Sequence, residues 1–260
     1  MADIYFLGDI HLGSALCDEE KLAATIEEIR VNPNAICILM GDECDYISPK
    51  DWRWRDGAIA EWVDTEDVAH SQQTEVVSRL RPIKKKILGA IEGNHERTIR
   101  DEFNQNVHNH LVEELEIRDF GYSALVRLRF YWKRNHPLRR GGRGGETHLI
   151  DIFLHHGFGG GRTDAADMGR FSDIVRDYVA DWFIMGHTHR YFASKFIKHY
   201  LGTRGDILSK PGLIGRSGTF LKTLDKGKFS YSEKAAMRPL YTGCLKVTYS
   251  PDRNDVVAQV

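Results

Sequence analysis

The chain has 260 residues, 42% of them hydrophobic and 28% charged, with a formal net charge of −1. Such a balance suits a soluble globular protein with a substantial core, and its overall field gives no general pull toward nucleic acid, so any attraction to phosphate must be local. The four cysteines (Cys17, Cys37, Cys44, Cys244) are scattered, which excludes a disulfide framework and reads as thiols in a reducing compartment. Met1-Ala2-Asp3 leads straight into an apolar run, and neither a signal peptide nor a membrane span is visible, so a cytoplasmic setting is expected.

In chain order, Ile4–Leu7 is a short β-rich run followed by Gly8-Asp9-Ile10-His11. A helix is expected over Asp18–Arg30, with Leu22, Ile26 and Ile29 on one face and acidic residues in its first turn. A second β run, Ala35–Met40, leads into Gly41-Asp42-Glu43-Cys44-Asp45, and a helix is expected over Glu66–Leu80. Lys86–Ile91 is the third run and ends in Gly93-Asn94-His95-Glu96. Phe103, Val107, Leu111 and Leu115, spaced by four, predict one helix over Asp101–Leu115. Leu149–Leu154 precedes His155-His156-Gly157, and Trp182–Met185 precedes Gly186-His187-Thr188-His189. All five runs are continuous rather than alternating, as strands buried on both faces are, and their alternation with helices predicts an α/β fold. From about Tyr191 onward the pattern turns to β-strands with Gly-rich punctuation, such as Lys210-Pro211-Gly212 and Gly215-Arg216-Ser217-Gly218. With no repeat and no linker, one domain is expected over 1–260, its motifs in 1–190 and a β-rich part in 191–260.

Each β run thus ends in a polar cluster able to bind metal. In an α/β sheet the loops after the carboxyl ends of strands form the ligand crevice, so clusters distant in sequence would converge there. Carboxylates and imidazoles are the donors that divalent cations such as Mn, Fe, Zn, Co or Ni accept, and no thiolate is needed. Asp9-x-His11 and His187-x-His189 can each direct two side chains toward one ion, because residues two apart share a face. Any one cluster could be a surface turn or a buried histidine satisfying a hydrogen bond. The whole set in this order is not explained that way.

The set Asp9-x-His11, Gly41-Asp42-x-x-Asp45, Gly93-Asn94-His95-Glu96, His156 and Gly186-His187-x-His189 resembles the calcineurin-like metallophosphoesterase superfamily. The resemblance implies a four-layer α/β/β/α sandwich, two mixed β-sheets flanked by helices, with a di-metal site at the carboxyl edge of the strands. By position, Asp9, His11 and His189 would hold one ion and Asn94, His156 and His187 the other, with Asp42 bridging. His156 is preferred to His155 because it directly precedes Gly157. Asp45 would brace its loop, and His95 would be the catalytic imidazole rather than a ligand.

The implied reaction is hydrolysis of a phosphate ester by a bridging hydroxide, the two cations (Mn²⁺ foremost) neutralising phosphoryl charge and lowering the pKa of the water toward ~7. His95 would protonate the leaving oxygen or stabilise charge on the phosphoryl group. A phosphodiesterase acting on nucleic acid or a nucleotide is the leading reading, since Asp9-Ile10-His11-Leu12-Gly13 resembles the opening motif of double-strand-break repair nucleases. A phosphomonoesterase or protein phosphatase would present the same ligands, and a non-catalytic scaffold of this fold is the alternative from another class. Trp52-Arg53-Trp54-Arg55, Arg97 and Arg162 are candidates for substrate contacts or ordinary packing and surface residues. Lys133–Gly145, rich in Arg and Gly, reads as a surface loop or hairpin tip, with a phosphate clamp as the sharper alternative.

Overall fold

The structure is a computed structural model describing residues 1–49, 51, 53–55, 57–133, 145–159, 163–225, 227 and 238–259. The first half alternates β1 (Ala2–Leu7), α1 (Glu19–Val31), β2 (Ala35–Leu39), α2 (Val68–Leu80), β3 (Ile87–Ala90), α3 (Asn94–Phe103), α4 (Val107–Leu115) and β4 (Arg118–Asp119). Then follow β5 (Ser123–Lys133), β6 (Gly145–His155), α5 (Asp164–Asp177), β7 (Trp182–Met185), β8 (Tyr191–Leu201), β9 (Ile207–Thr219), β10 (Gly243–Ser250) and β11 (Asp255–Gln259). The fold is α/β, with a large mixed sheet flanked by helices. Its strand order is β4-β3-β2-β1-β10-β9-β7-β6-β5, with β11 on β10 and β8 on β9.

Two parallel groups lie within that path. Strands β1, β2, β3 and β4 run parallel, as do β6, β7 and β9. The halves join where β9 meets β10 at Gly243↔Thr219 and Cys244↔Gly218. Period-two alternation divides the central strands between apolar clusters. Tyr5, Leu7, Cys37 and Leu39 face α1 and α2 through Leu22, Ile26, Ile29, Val76 and Leu80. Ile4, Phe6 and Ile38 share a second cluster with Leu128, Ile150, Ile152, Leu154, Trp182 and Ile184, from the other half of the sheet. A third cluster packs Phe171 and Ile174 of α5 on Phe153, Phe183 and Met185. Both faces of the central strands are therefore covered, which is why they read as unbroken apolar runs.

Local chemistry sets the helix starts. Asp18 accepts from Lys21 N at 3.3 Å, and Asp67 accepts from His70 N at 3.3 Å, each satisfying an N–H that the helix leaves open. The single helix expected over 101–115 is in fact two. Asn104 ends α3 at φ 55, in the left-handed region that Asn tolerates, and Asn106 caps α4 by accepting from Asn109 N at 3.0 Å. The C-terminal part also differs from expectation in detail. Lys210-Pro211-Gly212 and Gly215–Gly218 lie inside β9 rather than in turns. Pro211 faces Ile197 of β8 on one side, and on its other side β7 pairs with β9 only from Leu213 onward, so the proline stands where β9 has a single neighbour. Strand β10 pairs antiparallel with β1, so the C-terminal part completes the centre of the sheet. Of the Arg/Gly segment, residues 134–144 lie outside the described residues, and its flanks pair as the β5–β6 ladder up to Lys133↔Gly145. Among the described residues, no helix is long and apolar enough to cross a membrane.

Candidate metal centre

Each of the five clusters follows the carboxyl end of a strand: residues 8–11 after β1, 41–45 after β2, 93–96 after β3, 155–157 at the end of β6 and 186–189 after β7. The turns there are tight. Asp9 (φ 47), His11 (φ 51), Asp42 (φ 54), His187 (φ 71) and His189 (φ 57) all adopt left-handed backbone. Each such residue costs of order ~1–3 kcal/mol, and strain of this kind concentrates at functional sites. Gly41 lies so close to its neighbours that a Cβ would stand 2.6 Å from Gly93 N and 2.7 Å from His156 Nδ1.

Among the described residues the side chains converge in three overlapping sets, Asp9/His11/His189, His11/Asp42/His95 and Asp42/His156/His187, the donor atoms of each lying within 4.8 Å of one another. His11 Nε2 is 2.9 Å from His189 Nε2, and His189 Nε2 is 3.6 Å from Asp9 Oδ1. On the other side, Asn94 Oδ1 is 2.6 Å from His187 Nδ1 and 3.1 Å from His156 Nε2, which is 3.3 Å from Asp42 Oδ2. Asp42 is common to two of the sets.

This donor set fits metal ions. As a hydrogen-bonded network the Asn94 amide would be better turned, its NH₂ donating to His187 Nδ1, Asp42 Oδ2 and His156 Nε2. In either orientation the amide stands among two imidazoles and a carboxylate, and amide oxygen, imidazole and carboxylate are donors that divalent cations accept. The imidazoles are also pre-oriented. His11 Nδ1 lies 3.1 Å from Asp45 Oδ1, and His156 Nδ1 lies 2.8 Å from the Met40 carbonyl. Donation from each Nδ1–H leaves Nε2 with its lone pair turned inward, the usual support for a metal-bound histidine. Asp9 accepts from His187 N at 3.0 and 2.9 Å and from Ser217 Oγ at 3.2 Å.

Charge in the cluster follows from burial. Burial pushes the Asp9 carboxyl up to about 6, with the Asp42 charge adding to it. Burial also lowers His187 to about 4 and holds His189 well below its ordinary value, leaving both imidazoles neutral at pH 7. At His156 burial works against protonation, but the carboxylates of Asp42 and Asp9 outweigh it and raise the ring to about 10, so Nε2 carries a proton that a cation would have to displace before its lone pair is available. Beneath the cluster, Glu96 accepts from Asp42 N at 3.0 Å and Glu43 N at 2.9 Å, fixing the β2 turn.

All seven expected ligands, Asp9, His11, Asp42, Asn94, His156, His187 and His189, are brought together with His95. His155 turns away, its Nδ1 accepting from Gly157 N at 2.7 Å and its ring 5.5 Å from that of Tyr122. Asp45 braces the His11 ring. Arg97 pairs with Asp101 at 2.8 Å on an exposed helix face, as a surface arginine does. Trp52 and Arg162 lie outside the described residues. Ser217 carries no site signal in the sequence, and the buried Glu43 and Glu96 stand inside the motifs without a role assigned from sequence. Arg53 NH1, by contrast, lies 3.2 Å from His95 Nε2.

No curated protein matches the chain. Among solved structures, a predicted phosphoesterase from Streptococcus pneumoniae is similar at 11% identity and TM-score 0.34, over 95% of this chain and 80% of that one. The NAD nucleotidase of Haemophilus influenzae is similar at 9% identity and TM-score 0.41, over 100% of this chain and 49% of that one. Residues 2–191 match the family described as calcineurin-like phosphoesterase. The chain belongs to the calcineurin-like phosphoesterase family and is a hydrolase acting on phosphate esters.

Proposed function

We propose that this hydrolase is a two-metal phosphodiesterase acting on nucleic acid or a nucleotide. Asp9, His11 and His189 would hold one divalent ion, Asn94, His156 and His187 the other, and Asp42 would bridge them. The observation that carries this reading is the overlap of the donor sets through Asp42, whose carboxylate reaches the His11/His95 side and the His156/His187 side together. Bound there, the ions would supply Lewis-acid neutralisation of phosphoryl charge and an activated water, with Mn²⁺ the first choice among cations that oxygen and imidazole donors accept.

The chain's own residues would do the rest. Asp42 Oδ1 accepts from His95 N at 2.9 Å, so the bridging carboxylate and the catalytic imidazole are tied together. His95 Nδ1 donates to the Asp45 carbonyl, which leaves Nε2 as the atom that exchanges a proton with the leaving oxygen. Burial lowers the His95 pKa, and the negative charge of an ester entering beside it would draw the proton onto Nε2.

The three apolar clusters support a four-layer α/β/β/α sandwich, with the second cluster lying between the two halves of the sheet. The pairing of β10 with β1 supports a single domain over 1–260, and the scattered cysteines support a cytoplasmic setting. The diester preference rests on the Asp9–Gly13 motif. It is tested with Mn²⁺-loaded protein on an activated diester, an activated monoester, cyclic nucleotides and single-stranded and duplex DNA. Faster turnover of diesters is expected; monoester turnover exceeding diester turnover overturns the preference.

A further inference from the structure

Beyond the metal ligands and His95, the loop after β2 carries a cation to the edge of the site. Its start is anchored on α2. Tyr46, at φ 50, donates through its backbone N–H to Gln72 Oε1 at 2.8 Å and through its hydroxyl to Gln73 Oε1 at 3.0 Å. Farther along, Asp51 grips Arg53. Its carboxylate accepts from Arg53 Nε at 3.0 and 3.2 Å and from Arg53 NH2 at 2.6 Å, and Arg53 N donates to Asp51 Oδ1 at 2.8 Å. The pair is largely enclosed, the side chains being 23% and 13% exposed. This fork fixes the guanidinium plane along its Nε/NH2 edge. NH1, the other edge, points at His95 Nε2, 3.2 Å away.

We propose that Arg53, held in place by Asp51, binds the phosphoryl group of the substrate, NH1 donating to a non-bridging oxygen beside His95; the assignment rests on the two-metal reading above. A turn brace would need only the Nε/NH2 edge, and nothing in a brace requires NH1 to face the proposed catalytic imidazole. With His95 Nδ1 engaged by the Asp45 carbonyl, NH1 and His95 Nε2 face each other, so a phosphoryl oxygen entering there would meet both. Arginine suits the position because its planar fork can be oriented by one carboxylate on one edge while donating to phosphate from the other. Lysine, a point charge with no second edge, would lose that orientation. Asp51 is then a positioning residue that acts through Arg53.

The test uses full-length, Mn²⁺-loaded protein with inorganic phosphate as the binding probe in calorimetry and an activated phosphodiester as substrate. Arg53→Met is expected to keep wild-type manganese content and melting temperature. It should weaken phosphate binding at least ~10-fold and lower kcat/KM by about 10²–10³, the range for loss of one transition-state donor. Arg53→Lys should fall between, and Asp51→Asn should raise KM and the phosphate Kd more than it lowers kcat. Arg53→Met or Arg53→Lys protein that holds its manganese, binds phosphate and turns over like wild type overturns the assignment. Wild-type protein that shows neither metal-dependent phosphate binding nor hydrolysis overturns the two-metal reading itself.

Discussion

Replacing Gly93 with alanine perturbs the proposed centre without removing any ligand. A Cβ on Gly93 would lie 2.2 Å from both the backbone N and Oδ1 of Asp42, and 2.6 Å from Glu96 Oε2. None of these atoms is a flexible tip free to swing aside. Asp42 N is bonded to Glu96 Oε2 at 3.0 Å, and the Asp42 carbonyl accepts from Ile10 N at 2.9 Å and His11 N at 3.1 Å. The extra methyl must therefore displace the β2 turn and the bridging carboxylate together. Overpacking of this kind costs about 1–3 kcal/mol, and a chain of this length loses roughly 2–4 °C of Tm per kcal/mol. Displacing Asp42 should also weaken metal binding by about 10–100-fold, as loss of support around a metal ligand does. Thermal melts and calorimetric titration with Mn²⁺ measure both effects. A Gly93→Ala protein that melts with the wild type and binds manganese with wild-type affinity would refute the reasoning.

Three further substitutions separate the proposed roles. His95→Asn should keep full manganese content and lose about 10²–10⁴ in kcat, the range for general acid–base help; wild-type turnover with metals bound would remove His95 from the chemistry. His156→Ala should cost metal at one site while His155→Ala keeps it, as metal analysis of the purified proteins will show, and the reverse outcome would exchange their roles. Asp45→Asn should weaken binding of the ion held by His11 by about 10–100-fold, because the ring loses the carboxylate that orients it. Equal manganese affinity in Asp45→Asn and wild type would contradict that support.

The residues of the candidate site were legible in the sequence because they sit where buried parallel strands end, and such strands announce themselves as short apolar runs closed by glycine. Trp182–Met185, fully buried on both faces, has the same bounds in the structure as in the sequence. Strand β5 escaped notice for the opposite reason. From Ser123 to Tyr131 it alternates between exposed and covered residues, Leu125, Arg127 and Arg129 outward and Val126, Leu128 and Phe130 inward, so no continuous apolar run marks it. The break between α3 and α4 was hidden because Phe103 and Val107 keep a four-residue spacing across it while Asn104 and Asn106 do the capping. The left-handed backbone at Asp9, His11, Asp42, His187 and His189 falls on residue types that tolerate it better than most, but which of the chain's Asp and His adopt it is set by closure of the turns. Arg53 stood in the sequence as one of several arginines that were candidates for substrate contacts, with nothing to choose among them. Its fork with Asp51 and its approach to His95 exist only once the loop is anchored on Gln72 and Gln73.

The central claim is a dinuclear centre bridged by Asp42, and manganese stoichiometry combined with EPR of the Mn²⁺-loaded protein tests it most directly. Two ions per chain held ~3.5–4 Å apart by a shared carboxylate should give a spin-coupled spectrum, and Asp42→Asn should abolish the coupling. One manganese per wild-type chain, or the uncoupled six-line signal of isolated ions at full loading, would contradict it.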